Sequence, residues 1–160
     1  MNKYLILVLA AISSLTSCTK DNVYESSQMT MEDAIEAWVT DAVHIGGYTY
    51  NEAYAIVDAI EFSFEEAEEG YLGWAWPFPS GKVIINSIYW KGSAINQNTV
   101  YHEIGHVLGL GHDVTPIMNA YAGSSSALKK VDEYFKLIKD EYRGNTRKGG
   151  LQSHKCSKGH

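Results

Sequence analysis

The sequence predicts a small α+β domain in which helices bracket a few short strands. Apolar residues recur at three- and four-residue spacing at Met31, Ile35, Trp38, Ala42 and Ile45, and again at Leu128, Val131, Phe135, Ile138 and Tyr142. Between them Ile60-Glu61-Phe62-Ser63-Phe64 alternates apolar with polar residues, while Val83-Ile84-Ile85 is a continuous apolar run. At 160 residues, 45% hydrophobic and 20% charged, the chain is long enough for one core and no more. A net charge of −6, with no basic groove studded with aromatics, argues against a nucleic-acid partner.

In chain order, Met1-Asn2-Lys3 is a short positive start to the apolar run Tyr4 to Ile12, which is too short to span a membrane. Leu15-Thr16-Ser17-Cys18 resembles the bacterial lipobox, so residues 1–17 read as a lipoprotein-type signal peptide. Lipidated Cys18 would then anchor the mature chain to a membrane outside the cytoplasm, at the outer membrane or cell surface. That leaves Cys156 alone, so no disulfide forms within the mature chain. Residues 18–30 are polar and read as a tether or short pro-segment.

Thr30-Met31-Glu32-Asp33 resembles a capping box and opens a helix over 31–44, with Trp38 in its core face and Gly46-Gly47 at its end. Residues 48 to 60 are compatible with a short helix or the start of a strand. A half-buried strand follows over 60–64, then the acidic run Glu65-Glu66-Ala67-Glu68-Glu69. Such runs are usually solvated loops. This one offers carboxylates of the kind calcium takes, without EF-hand spacing. Ser80-Gly81 turns the chain into a buried strand over 82–86, and residues 91 to 98 read as a polar loop with Asn98 as the cap of the next helix.

That helix carries the chemistry. In His102-Glu103-Ile104-Gly105-His106, two imidazoles four residues apart leave one helix face and can share a metal ion. Glu103 stands beside the first of them, within reach of a water on that ion. Gly109 can turn the chain sharply and bring His112 back as a third nitrogen ligand. Three imidazoles with one open position suit a catalytic zinc, whereas a structural site would be closed by a fourth protein ligand.

The stretch from His102 to His112 fits H-E-x-x-H-x-x-G-x-x-H, and through it the chain resembles the metzincin zinc peptidases. Thr115-Pro116-Ile117-Met118-Asn119-Ala120-Tyr121 is similar to the family's Met-turn, with Met118 as the apolar floor under the metal. The resemblance implies a zincin-like fold: a small twisted mixed sheet, a backing helix at 31–44, an active-site helix and a closing C-terminal helix. It extends over residues 31–142, the catalytic domain. Leu72-Gly73-Trp74-Ala75-Trp76 looks like the edge strand of a matrixin-type metzincin, where an extended peptide pairs as an added strand. Leu72, Gly73, Trp74, Ala75 and Tyr121 are thus candidate cleft residues, with Trp74 and Trp76 either core or a platform for substrate.

The implied reaction is peptide hydrolysis at internal bonds of a protein or peptide, by a monomer holding one catalytic zinc. A zinc-activated water attacks the carbonyl, and Glu103 takes its proton and passes it to the leaving amine. Two other readings use the same histidines: a zinc-binding surface lipoprotein without turnover, and a zinc aminopeptidase. Capture of metal needs no carboxylate beside the ligands, so Glu103 favours catalysis.

There are departures from the family pattern. No strand is evident before the backing helix, there are no histidines for the second zinc of animal matrixins, and Ala120 stands where some metzincins have a transition-state tyrosine. No cysteine stands in a pro-segment to block the zinc; Asp21 could do so, although a tether residue is its simpler reading. Asp113 looks like the adamalysin-type aspartate that braces the loop. Residues 143–160 hold five basic residues and no acidic ones, and are expected to be a disordered tail, in which His154, Cys156 and His160 are more plausibly solvated than metal-binding.

Overall fold

The structure, a computed structural model, describes residues 29–67, 70–92, 94–120, 125–145 and 154–157. The signal peptide, Cys18, Asp21 and Tyr121 lie outside the described residues.

Two capped helices open the fold. Helix α1 (Met31–His44) starts at Thr30, whose hydroxyl accepts from the Asp33 N–H while the Asp33 carboxylate accepts from the Thr30 N–H. Helix α2 (Tyr50–Asp58) repeats the device with Thr49 and Glu52, which decides the ambiguous stretch in favour of helix. Between them the chain turns at Gly47, at a φ of 66°.

Strands β1 (Glu61–Glu65), β2 (Tyr71–Trp76) and β3 (Lys82–Asn86) follow. β3 lies between the other two, parallel to β1 and antiparallel to β2. Val83 and Ile85 of β3 join the core and Ile84 is buried too, so β3 is the buried strand the apolar run implies. β1 is more exposed than its alternation suggests: Phe62 is half-buried and Phe64 is exposed, its ring edge-on to Trp90. An edge strand has only one neighbour to shield it.

Helix α3 (Ala94–Val107) begins four residues earlier than its expected cap. Asn98 is therefore a buried residue in the helix interior, not a cap, and its first turn replaces part of the polar loop. α3 packs on α1 and lies against β2 and β3. Helix α4 (Val131–Asn145), preceded by a 3-10 turn over Ser125–Lys130, closes the core with Tyr134, Phe135 and Ile138.

Burial unites α1, α3 and α4. Trp38, Ala42, Tyr101, Ile104, Phe135 and Ile138 are shielded almost completely, and each large apolar side chain so placed contributes about 1.5–3 kcal/mol. Trp38 packs on Phe135 with ring centroids 5.4 Å apart.

One expectation is overturned at the C-terminal end. The basic stretch from 143 is not uniformly irregular: α4 runs on to Asn145, and strand β4 (His154–Ser157) pairs antiparallel with the outer edge of β2. The sheet order is β1-β3-β2-β4. Composition misses such a strand because an edge is satisfied by any chain's backbone N–H and C=O groups, whatever the side chains.

Candidate metal centre

The three histidines meet. His102 and His106 leave the same side of α3, one turn apart, with ring centroids 4.6 Å from each other. Past the end of α3 the chain tightens: Leu108 N–H donates to Ile104 O, Gly109 N–H to His106 O and Leu110 N–H to Gly105 O. Gly109 sits at a φ of 98°, open only to glycine at low cost, and reverses the chain. The reversal delivers His112, whose Nε2 is 3.1 Å from His106 Nε2; that of His102 is 3.0 Å from the same atom.

The opposite ring nitrogens fix the protons. His102 Nδ1 lies 2.7 Å from Ile117 O, and His106 Nδ1 lies 2.7 Å from Leu110 O. A carbonyl oxygen only accepts, so both Nδ1 atoms carry hydrogen and donate. Each neutral ring then presents its Nε2 lone pair to the other at van der Waals contact, which is repulsive unless a cation lies between them. The donor set therefore fits a metal: three imidazole nitrogens within reach of one ion, two of them oriented by backbone carbonyls. Among the described residues these three histidines form the one group of side chains able to hold an ion.

Glu103 is fully buried next to the first ligand, on the side of α3 that meets the sheet. A Cβ built on Gly73 of β2 would fall 2.9 Å from Glu103 Oε1 and 3.0 Å from Ile84 O, so the glycine makes room for the carboxylate. The candidate cleft residues divide accordingly. Gly73 and Ala75 are buried toward α3 and Leu72 is buried as well, while Trp74 and Trp76 are half-buried on the opposite side of the alternation. The Trp74 ring stacks on Tyr71, 5.8 Å between centroids, so it is neither deep core nor a platform facing Glu103.

Beneath the histidines runs the turn of Met118. Met118 N–H donates to Thr115 O, and Asp113 N–H donates to Met118 O at 2.8 Å. Asp113 takes a left-handed φ of 62°, and its Oδ1 accepts from the Ala120 N–H at 3.4 Å. That is the bracing role expected of it. Met118 is completely buried, and Gly105, on the helix turn between the two ligands, lies directly over its sulfur. The same turn carries Ile117 O to His102. Among the described residues the acidic run contributes no ligand here: Glu65 lies with Glu61 beside Lys82, while Glu68 and Glu69 lie outside the described residues.

Behind the site a chain of hydrogen bonds ties three helices together. Trp38 Nε1–H donates to the Tyr134 hydroxyl at 3.1 Å, Tyr134 donates to Tyr101 O, and the Tyr101 hydroxyl donates to Asp41 at 2.7 Å. Burial, and next the bond to Asp41, push the Tyr101 hydroxyl far above the usual tyrosine range; burial does the same to Tyr134. Tyr101 immediately precedes His102, so this network fixes the first ligand's backbone.

Ile117, Leu110 and Tyr134 are the site-building residues that sequence reasoning missed. The first two act through backbone carbonyls, which leave no trace in side-chain identity.

Residues 3–113 match the family model described as metallo-peptidase family M12B, reprolysin-like. That span is well over half of the sequence and ends just after the third histidine. The chain belongs to this family. No curated protein and no solved structure matches it. For a reprolysin-like metallopeptidase, the arrangement of α3, the glycine turn and the returning histidine is a metzincin-like centre. The match is to the reprolysin-like group and not to the matrixins specifically.

Proposed function

We propose that this metallopeptidase is a zinc-dependent endopeptidase, with His102, His106 and His112 as ligands and Glu103 as general base. The observation that carries it is the convergence of three Nε2 atoms beside a buried carboxylate. Zinc is favoured among metals because it accepts neutral imidazoles in a tetrahedral set and does not change oxidation state; copper and nickel also take nitrogen ligands. When bound, zinc supplies a Lewis acid that polarises the scissile carbonyl and acidifies a water to a pKa of about 7. Glu103, held beside Gly73, takes the water's proton and returns it to the departing amine. Burial keeps bulk water from competing for that proton.

An extended substrate would bind by pairing with the outer edge of β2, the matrixin-like element of the proposal, level with Glu103 and in place of β4. A strand added along an edge runs past the centre in both directions, which suits cleavage within a chain. Residues 1–18 support export and lipid attachment through Cys18, so we place the enzyme outside the cytoplasm on a membrane. Among the described residues, no helix is long and apolar enough to cross one.

The test is metal analysis with cleavage assays on a blocked internal peptide and a free-amine dipeptide. The parent should carry one zinc per chain and cut only the blocked peptide. Glu103→Ala should keep its zinc and lose cleavage by roughly 10²- to 10⁴-fold. Equal cleavage by parent and Glu103→Ala would remove the mechanism. Preference for the dipeptide would make it an aminopeptidase, and zinc without any cleavage a metal-capture protein.

A further inference from the structure

β4 occupies the ground where the proposed substrate would lie. Its pairing with β2 sets Ala75 against His154, Trp74 against Lys155 and Gly73 against Cys156, then shifts register so that Tyr71 faces Ser157. One row of N–H and C=O groups runs along each edge of a strand, and each row accepts one partner. β3 fills the inner row of β2 and β4 fills the outer. Gly73 is the residue of β2 that abuts Glu103, so the backbone of β4 crosses at the level of the base, with Cys156 opposite. A peptide cannot pair at Gly73–Ala75 while β4 is there.

We propose that residues 154–157 are a self-inhibitory strand, which must leave β2 before a protein or peptide substrate can enter. The proposal rests on the reading of β2 as the substrate edge of a peptidase. Attachment to the same chain gives the strand a high effective concentration, so a weak pairing suffices to keep the edge covered. Only four residues of β4 take part, which leaves it displaceable by a longer substrate.

The experiment compares the zinc-loaded full-length parent with the full-length double variant Lys155→Pro and Cys156→Pro. Proline at both adjacent positions removes whichever N–H faces β2. On a blocked internal peptide the variant should show a KM lower by ~10-fold or more with kcat unchanged, the pattern of a competitor removed in cis. A synthetic peptide spanning Leu151–His160, added to the variant, should restore competitive inhibition. Hydrogen exchange at those amides of the Gly73–Ala75 stretch that face β4 should be faster in the variant, with the alternate ones facing β3 unchanged, a readout that needs no activity. Equal KM in both proteins, or equal exchange, overturns the proposal. So does Glu103-dependent self-cleavage of the parent within residues 154–157, detected by mass, because the segment would then be a substrate. If exchange differs but neither protein cleaves any peptide, the peptidase reading fails and inhibition with it, while the strand pairing stands.

Discussion

Gly105 shows how closely the centre is built at the level of single residues. It lies between the two helix-borne ligands, and a Cβ on it would come within 2.5 Å of Met118 Sδ and 3.1 Å of the Tyr134 ring. Neither neighbour can retreat, since both side chains are fully buried. Gly105→Ala should therefore lower stability by roughly 1–3 kcal/mol, in spite of alanine's better helix propensity. Thermal unfolding would read this as a drop in Tm; an unchanged or higher Tm would mean that Met118 is free to move. The sequence exposes this position only as one of the variable places of the H-E-x-x-H motif. Its constraint comes from a turn that returns twelve or more residues later, which no local pattern reveals.

At the scale of elements, the contact between backing helix, active-site helix and closing helix is set by Trp38, Tyr101 and Tyr134. Tyr134→Phe keeps the ring but removes the hydroxyl, leaving the buried Trp38 N–H without its acceptor and Tyr101 O without the bond that ties it to α4. The expected cost is about 1–3 kcal/mol, measured by denaturant unfolding. The network also has a pH signature. Tyr101 and Tyr134 are neutral when protonated, and their folded pKa values are raised above the ordinary 10.0. Below pH 10 both hydroxyls are protonated in the folded and unfolded chains alike, and their contribution is complete. Above it the unfolded chain releases protons that the folded one retains, so stability falls as pH rises. Melting curves from pH 8 to 11 should show Tm declining past pH 10, and Tyr134→Phe should decline less steeply.

For the molecule as a whole, the metal is a part of the fold that the chain alone does not supply. Three helices and the Met118 turn press His102 and His106 into complete burial, with lone pairs opposed. A cation that binds only the folded state would stabilise it by RT ln(1 + [L]/Kd), about 2.7 kcal/mol at a hundred times Kd. For a domain of this size that is a rise in Tm on the order of 10 °C. Calorimetry before and after chelation, followed by zinc return, should show Tm falling and recovering. No shift would mean that the histidines do not share an ion.

Local chemistry made much of this legible in the sequence. Capping boxes, three- and four-residue apolar spacing and a glycine placed to turn the chain are properties of short stretches. They fixed α1, β3 and α4 and nominated the three histidines and Glu103. The Thr49-Glu52 box was equally readable and would have resolved α2. The tertiary structure alone decided which carbonyls hold the rings, that Gly73 yields space to Glu103, that Asn98 is interior, and that β4 lies along β2. Each of these depends on backbone groups or on vacant volume shared between distant segments. Side-chain identity records neither, and only the folded chain brings them together.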